Sequence, residues 1–251
     1  MENSKLDLFY QNCIEKAFAV VLDEFPIKLK QIETLKKEFD WNRMEKIKSD
    51  TEWIKNFSST YFDKSKQVDQ FKKGTGNCIA HCNMKPLLFE YYQQPNVNGS
   101  MIPTNLMVHE MIERIRPYLI ELSDHTLQLA FAIQLLEPSF QDGNNFGVEV
   151  QYKALTTVHE AYSGAQDFLE SLKNYYHKRD GLLQSIITYP HIEDYQVCLL
   201  ELDRTFTYNL CRGVEELYSI YTSIHDVITK NIDKLLRPRG EETRKDKTQS
   251  N

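Results

Sequence analysis

A chain of 251 residues, 41% of them hydrophobic, is long and apolar enough to fold around a core and too apolar to stay disordered. Nine glycines and eight prolines are too few for the many tight turns of a sandwich or barrel, so long helices are expected. The net charge of −6, with Lys and Glu interspersed, lacks the basic stripe of a nucleic-acid-binding protein.

Cysteine usage and the first residues bear on the cellular compartment. The five cysteines are odd in number and scattered, so they do not indicate a disulfide framework, and a reducing compartment is expected. Residues Met1 to Asp7 are polar and do not resemble a signal peptide. No apolar run approaches the roughly 18 residues that span a bilayer, so we expect a soluble intracellular protein without a membrane partner.

The first predicted element is a helix within residues 1–60. Ile14, Phe18, Val21 and Phe25 are spaced by four, three and four residues, which places them on one helix face. Pro26 lacks a backbone donor, so we expect a kink or a new start there. Residues 61–103 lose this periodicity, which predicts a long, mobile insert loop. Its chain breakers are Gly74, Gly76, Pro86, Pro95 and Gly99.

Three further helices are predicted within residues 104–240, and each carries apolar residues at alternating spacings of three and four. These seams are Leu119, Leu122, Thr126, Leu129, Ile133 and Leu136; Val158, Tyr162, Ala165, Leu169, Leu172 and Tyr176; and Leu210, Val214, Leu217, Tyr221, Ile224 and Ile228. Pro138, Tyr189-Pro190-His191 and Arg237-Pro238-Arg239-Gly240 end the three helices. The pattern predicts an all-α, up-down four-helix bundle, followed by a charged tail of residues 241–251.

Enzyme signatures that helical bundles can carry are missing from this sequence. Di-iron centres use Glu-x-x-His on two helices, and none of the seven histidines has a glutamate three residues before it. His109-Glu110 and His159-Glu160 lack the second histidine of a zincin motif. Gly74-x-Gly76 does not continue as a dinucleotide fingerprint, and neither a P-loop nor a Gly-x-Ser-x-Gly elbow occurs. We therefore expect no catalytic residues and no cofactor.

One cysteine and histidine cluster could form half of a metal site. Cys78, His81 and Cys82 have zinc-ligand spacing, but a structural zinc site needs four ligands. The fourth would have to come from elsewhere, for example from His109 or from another subunit. Loop thiols without a metal are the favoured interpretation, so no metal is expected.

The connection between the second and third helices has an unusual composition. It contains Asp142, Gly143, Asn144, Asn145, Phe146 and Gly147, in which the phenylalanine is predicted to be exposed. Gly143 and Gly147 are the residues best able to adopt positive φ, and asparagine also tolerates such conformations. The loop is therefore a candidate contact surface of fixed shape. Composition alone leaves open the alternative of an ordinary helix–helix turn, capped at Asp142 or Asn144.

At this loop the sequence resembles the 11S proteasome activators, also called the REG family. Their activation loop reads Pro-Arg-Ile-Glu-Asp-Gly-Asn-Asn-Phe-Gly-Val, and the run Asp142 to Val148 is identical to its second part, as is the following Val150-Gln151. Residues 189–195 are similar to the gamma type's Tyr-Pro-His-Val-Glu-Asp-Tyr. Phe25-Pro26-x-Lys28 and the segments 230–234 and 237–239 also resemble the family. The resemblance covers nearly the whole chain and is weakest between about Trp41 and Ser100.

The resemblance implies a gamma-type subunit of a seven-membered ring that activates the 20S proteasome core particle without ATP. The ring would be a homoheptamer with a channel through which peptide substrates pass. Asp142 to Gly147, within residues 139–147, would be the activation loop that presses on the gate of the core particle's alpha-subunit ring. The C-terminal tails would dock into pockets of that ring through Lys247, Thr248, Gln249, Ser250 and Asn251.

Several residues depart from the family pattern. Ser139, Phe140 and Gln141 replace a charged pair and an isoleucine, and Thr188 stands where relatives carry lysine. The tail does not have the family's apolar-then-tyrosine ending, which favours an alternative: a helical scaffold or adaptor that has lost proteasome engagement. The insert lacks the basic cluster of the gamma type. A location in the nucleus or cytoplasm is expected, and the nucleus is favoured by the gamma-type resemblance alone.

Overall fold

The computed structural model describes residues 2–42, 104–141, 143–189 and 191–240. Regular structure in these residues is helical throughout, which confirms the predicted all-α class. The first helix consists of α1 (Glu2–Ala19), a π-helical turn (Val20–Glu24) and α2 (Phe25–Glu38). The next three are α3 (Leu106–Leu135), α4 (Phe146–Thr188) and α5 (Glu193–Leu236). Together they are the four long helices of a bundle.

The described residues do not cover every predicted segment. The first helix ends at Glu38, and of the remaining predicted extent to residue 60 only residues 39–42 are described. The insert with Cys78, His81 and Cys82 lies outside the described residues, as do Asp142, Pro190 and the tail from residue 241. The last helix ends at Leu236, directly before the Arg237-Pro238 sequence that was expected to end it.

A change of helix type directly precedes Pro26, where a kink or new start was expected: the π turn ends at Glu24 and α2 begins at Phe25. The backbone stays right-handed and helical from Ala19 to Phe25, and the Phe25 N–H bonds to the Val20 carbonyl, five residues before it. Proline cannot donate the next bond and its ring crowds the preceding turn. The wider π turn makes room for that ring at the second position of α2, so the first helix continues through Pro26.

Contacts divide the described residues into two compact units. Unit 1 takes those within Met1–Glu38, Ile115–Ser171 and Arg212–Asn251, and unit 2 takes those within Phe39–Arg114 and Leu172–Cys211. In unit 1, Glu24 lies 3.8 Å from His125 and Lys28 forms an ion pair with Glu121. Residue numbers increase along the first helix while those of its partners in α3 decrease. These two helices are therefore antiparallel, as the up-down prediction requires.

The predicted seams of α3 and α5 form much of the core, whereas in the α4 seam Val158, Ala165 and Leu172 are buried and Tyr162, Leu169 and Tyr176 are half-buried. All members of the α5 seam are buried, and the α3 seam is buried except for the half-buried Leu136. In unit 1, Phe25 packs its ring edge-on against Tyr221, with centroids 4.7 Å apart. Each such fully buried side chain contributes roughly 1.5–3 kcal/mol relative to exposure, so these seams carry most of the stability of the fold.

Unit 2 contains a buried polar cluster around Asp203, whose exposed fraction is 4%. Its carboxylate accepts hydrogen bonds from the Tyr175 hydroxyl and from the Asn105 amide, both at 2.8 Å, and lies 3.6 Å from the Arg179 guanidinium. Asn105 also accepts from the Val108 N–H with its side-chain oxygen, so it caps α3. Burial, reinforced by the charge of Asp203, raises the pKa of Tyr175, so its hydroxyl stays protonated and donates.

The Asp203→Ala substitution should destabilise the protein by about 3–5 kcal/mol, because it removes the buried charge that faces Arg179. The measurement is the free energy of unfolding in urea. Asp226→Ala is the matched control, since Asp226 pairs with Lys230 on an exposed face of α5 and its loss should cost under about 1 kcal/mol. Equal losses in the two variants would contradict the role of the buried cluster.

A second prediction concerns alkaline pH. Tyr221 is fully buried, and within the described residues its hydroxyl has no hydrogen-bond partner. Burial, with the charges of Glu121 and Glu24, raises the pKa of Tyr221 above that of an unfolded tyrosine, about 10. Because the pKa is higher in the folded than in the unfolded state, this hydroxyl leaves the free energy of unfolding unchanged below about pH 10. Above about pH 10 the free energy of unfolding falls as the pH rises.

The Tyr221→Phe variant should therefore match the wild-type free energy of unfolding at pH 8 within about 1 kcal/mol. Above pH 10 it should lose less stability than the wild type. Urea unfolding at both pH values checks this. A variant that is much weaker at pH 8 would mean that the hydroxyl has a stabilising partner.

Candidate functional site

The candidate loop connects the end of α3 to the start of α4. The last turn of α3 tightens, because the Leu136 N–H bonds to both Ala132 and Ile133. The Glu149 N–H bonds to the Asn145 carbonyl and closes the first turn of α4. Of the predicted loop residues, Gly143, Asn144 and Asn145 lie between the helices, whereas Phe146 and Gly147 lie in the first turn of α4.

Two consecutive residues of the loop have left-handed backbone conformations. Gly143 has φ of 84° and Asn144 has φ of 48°. Glycine adopts this region without steric cost, and asparagine is one of the few other residues that tolerates it. Asn144 is the one non-glycine residue with positive φ in the described ranges, so its identity matters for the backbone as well as for its side chain.

Gly147 does not use its freedom to adopt positive φ, as it lies within α4. Its requirement is steric: a Cβ atom at this position would overlap the carbonyl oxygen of Pro238. The start of α4 therefore lies directly against the backbone that follows α5. The identity of Gly147 reflects close backbone approach and not turn geometry.

Hydrogen bonds join the same two regions. The exposed Asn144 side chain donates through Nδ2 to the Arg239 carbonyl at 3.2 Å. Gln151, with an exposed fraction of 3%, donates through Nε2 to the Leu235 carbonyl at 2.8 Å and to the Leu136 carbonyl at 3.2 Å. One buried amide thus satisfies carbonyl groups at the ends of both α3 and α5.

Two aromatic side chains are exposed at the loop and at the first turn of α4. The Phe140 side chain is fully exposed, at 102%, and Phe146 is 68% exposed, as predicted for the latter. Phe140 also lines a hollow of about 430 Å³, together with apolar residues such as Val148 and with charged residues such as Glu149 and Arg239. Exposed aromatic residues on a fixed backbone suit contact with another macromolecule.

Across the described ranges, no group of three or more His, Cys, Asp or Glu residues is placed to hold a metal ion. Thr188, at the end of α4, is exposed and donates its hydroxyl to the Gln184 carbonyl of its own helix.

In the described part of the chain, no helix is long and apolar enough to cross a membrane.

The sequence model of the family "Proteasome activator PA28, C-terminal" matches residues 101–245. The chain belongs to the PA28 family. The matched region includes the loop, the Gly147–Pro238 contact and both carbonyl partners of Gln151. The recognised resemblance to 11S activators is thereby confirmed.

The relatives of known name agree with this family. Proteasome activator complex subunit 3 of Homo sapiens, Mus musculus and Gallus gallus is in each case 35% identical over 143 residues. The match covers 57% of this chain and 56% of each relative. The chain thus spans about half the length of the curated relatives that it matches.

Solved structures show the same fold. The 11S subunit of the Plasmodium falciparum proteasome, PA28, matches with a TM-score of 0.64 at 17% identity, over 94% of this chain and 93% of that one. A crystal structure of an archaeal 20S proteasome in complex with a mutated activator, P26, contains a chain that matches with a TM-score of 0.60 at 14% identity. That match covers 94% of this chain and 96% of the other.

Sequence reasoning singled out the loop but missed the residues that hold it. Gln151 was noted only as identical to the family sequence, and Pro238 only as a helix terminator. A polar residue at a buried position of the α4 seam, two turns after a glycine-bearing loop, is the signal that could have identified Gln151. The contact between the start of α4 and the end of α5 has no local sequence signal, because 84 residues separate Gln151 from Leu235.

The Gly147→Ala substitution should destabilise the protein by about 1–3 kcal/mol, because Pro238 would have to move away from the new methyl group. Gly164→Ala is the matched control in the same helix, where a Cβ atom meets open space. The control should gain about 0.5–1 kcal/mol from reduced backbone entropy. Thermal and urea unfolding check both; a gain in both variants would contradict the close approach.

Proposed function

We propose that this chain is a subunit of an ATP-independent activator of the 20S proteasome core particle. The loop around Gly143 and Asn144 would contact the alpha-subunit ring and open its gate, and residues 247–251 of the tail would anchor the complex. The observation that carries the proposal is the fixed, exposed loop, with successive positive φ values, in a chain of the PA28 family. Peptide substrates would pass through the activator, which itself would carry out no catalysis.

The active form would be a closed ring of seven copies, as implied by the gamma-type resemblance. Exposed apolar residues of unit 1 support an assembly, among them Ile120, Leu127 and Phe131, which recur on one face of α3. Each subunit carries a net charge of −6, so salt should favour the ring by screening repulsion. Analytical ultracentrifugation gives the mass, and a monomer at micromolar concentration and physiological salt would contradict this part of the proposal.

The decisive experiment mixes purified protein with core particle and short fluorogenic peptides in the absence of ATP. A stimulated peptidase rate supports the proposal. A chain that assembles but neither binds nor stimulates the core particle would instead be a scaffold or adaptor. Deletion of residues 247–251 should abolish binding and leave the assembly intact, because linked weak contacts act through avidity.

A point substitution separates binding from gate opening. Asn144→Tyr adds bulk at the contact surface and should abolish stimulation, while the variant still competes with wild type for core particle. The left-handed backbone at Asn144 makes tyrosine cost about 1–2 kcal/mol of stability, more than a mid-loop position would suggest.

Asn144→Ala is the matched control, since it carries the same backbone cost and loses the same hydrogen bond without adding bulk. It should bind and should keep part of the stimulation. The measurement is a peptidase titration beside a binding competition, both at a fixed concentration of core particle. Full stimulation by Asn144→Tyr would mean that the loop is only a connector between two helices.

A further inference from the structure

We propose that the loop and the root of the C-terminal tail form one mechanical unit, in which Asn144, Gly147 and Gln151 are positioning residues that couple tail docking to loop placement. The tail root is defined as residues 235–240, the last described residues before the tail. The activity part of this inference rests on the proposed function. Its structural part concerns the free protein and can be tested by itself.

The first connection is buried. Gln151 lies on the second turn of α4, and its amide group bonds to Leu235 in the tail root and to Leu136 at the end of α3. The exposed fraction of Gln151 is 3%, so water cannot easily replace either bond. Moving the tail root away from α4 would leave a buried donor and a helix-end carbonyl without partners, which is costly.

The second connection is exposed and leaves from the strained part of the loop. Asn144 Nδ2 donates to the Arg239 carbonyl across 95 positions of sequence. The bond ties the residue with φ of 48° directly to the tail root. A displacement of Arg239 would therefore change the position of Asn144, whose left-handed backbone shapes the loop.

The third connection is steric. Gly147 approaches the backbone of Pro238 so closely that no side chain fits between them. Unlike a hydrogen bond, this contact resists compression, so the tail root can press on the start of α4. Two bonds that resist separation and one contact that resists approach fix the distance between the two regions.

The tail root itself is ordered by its own backbone. The Arg237 N–H bonds to the Asp233 carbonyl at 2.9 Å, and the Gly240 N–H bonds to the Arg237 carbonyl at 3.1 Å. Gly240 has φ of 81°, a conformation that favours glycine and turns the chain at the end of the root. The backbone up to Gly240, the last described residue, is therefore ordered by residues that also contact the loop.

The coupling is distinguished from a purely stabilising role by separating two activity parameters. Gln151→Met keeps the length of the side chain and removes its donor, and Asn144→Gly keeps the positive φ and removes the amide. Gln151 is buried, so Gln151→Met should bind core particle at a half-saturating concentration within about twofold of wild type. Asn144 lies at the proposed contact surface, so the two variants are compared by their stimulation at saturation. Their maximal stimulation should fall roughly fivefold, the factor that corresponds to about 1 kcal/mol of lost positioning.

Thr156→Ala is the matched control, because it removes a hydrogen bond from α4 that stays within the helix, between the Thr156 hydroxyl and the Tyr152 carbonyl. It should leave both activity parameters unchanged. Maximal stimulation by Gln151→Met and Asn144→Gly equal to that of wild type would overturn the proposal. So would a loss that appears only in the half-saturating concentration.

Amide hydrogen exchange in the free protein tests the coupling without core particle. Asn144→Gly changes no atom of the tail root, yet it should speed exchange at the amides of Arg237 and Gly240. Gln151→Met should speed exchange there and at Glu149. If wild type fails to bind core particle, the proposed function fails and the exchange result still decides the coupling; faster exchange confined to the loop would overturn it.

Discussion

The last carbonyl groups of a helix have no hydrogen-bond donor within the helix. In this bundle one buried amide group donates to such carbonyl groups at the ends of two helices. Gln151 reaches the carbonyl groups of Leu136 and Leu235. Its placement fixes where α3 ends, where α5 ends and how α4 begins between them. The shape of the loop follows, because a connection with both ends fixed and two left-handed residues inside has few alternative conformations. The same bonds bring the tail root beside the loop.

A loop that is held in one conformation is well suited to binding a partner. Binding to a partner costs the conformational entropy of every segment that must become ordered. Here the loop is already ordered when the chain folds, because Asn144 and Gly147 contact the residues after α5. In the proposed role as an activator, specificity would lie in the backbone geometry of the loop and in the exposed Phe140 and Phe146.

The sequence predicted the helices well because their apolar spacing is a local property of each helix. The α5 seam from Leu210 to Ile228 is buried at every predicted position. The π turn before Pro26 was not predicted, because it depends on how the preceding residues pack and has no spacing of its own. The loop was identified by composition and by family resemblance, and the positive φ of Gly143 followed from residue type. The roles of Gly147, Gln151 and Pro238 could not be predicted, because they depend on backbone segments that meet only in the folded chain.

The departures in the first half of the loop change the character of the proposed contact. In the family pattern a charged pair flanks an isoleucine, whereas this chain has Ser139, Phe140 and Gln141. A solvent-exposed ion pair contributes about 0–1 kcal/mol and is screened by salt. A fully exposed phenylalanine that becomes covered by a partner contributes roughly 1.5–3 kcal/mol and is insensitive to salt. In the proposed contact, exchanging charge for apolar area at this position would shift the origin of the contact energy from electrostatic to hydrophobic, with the orientation still set by the backbone that Asn144 and Gln151 hold in place.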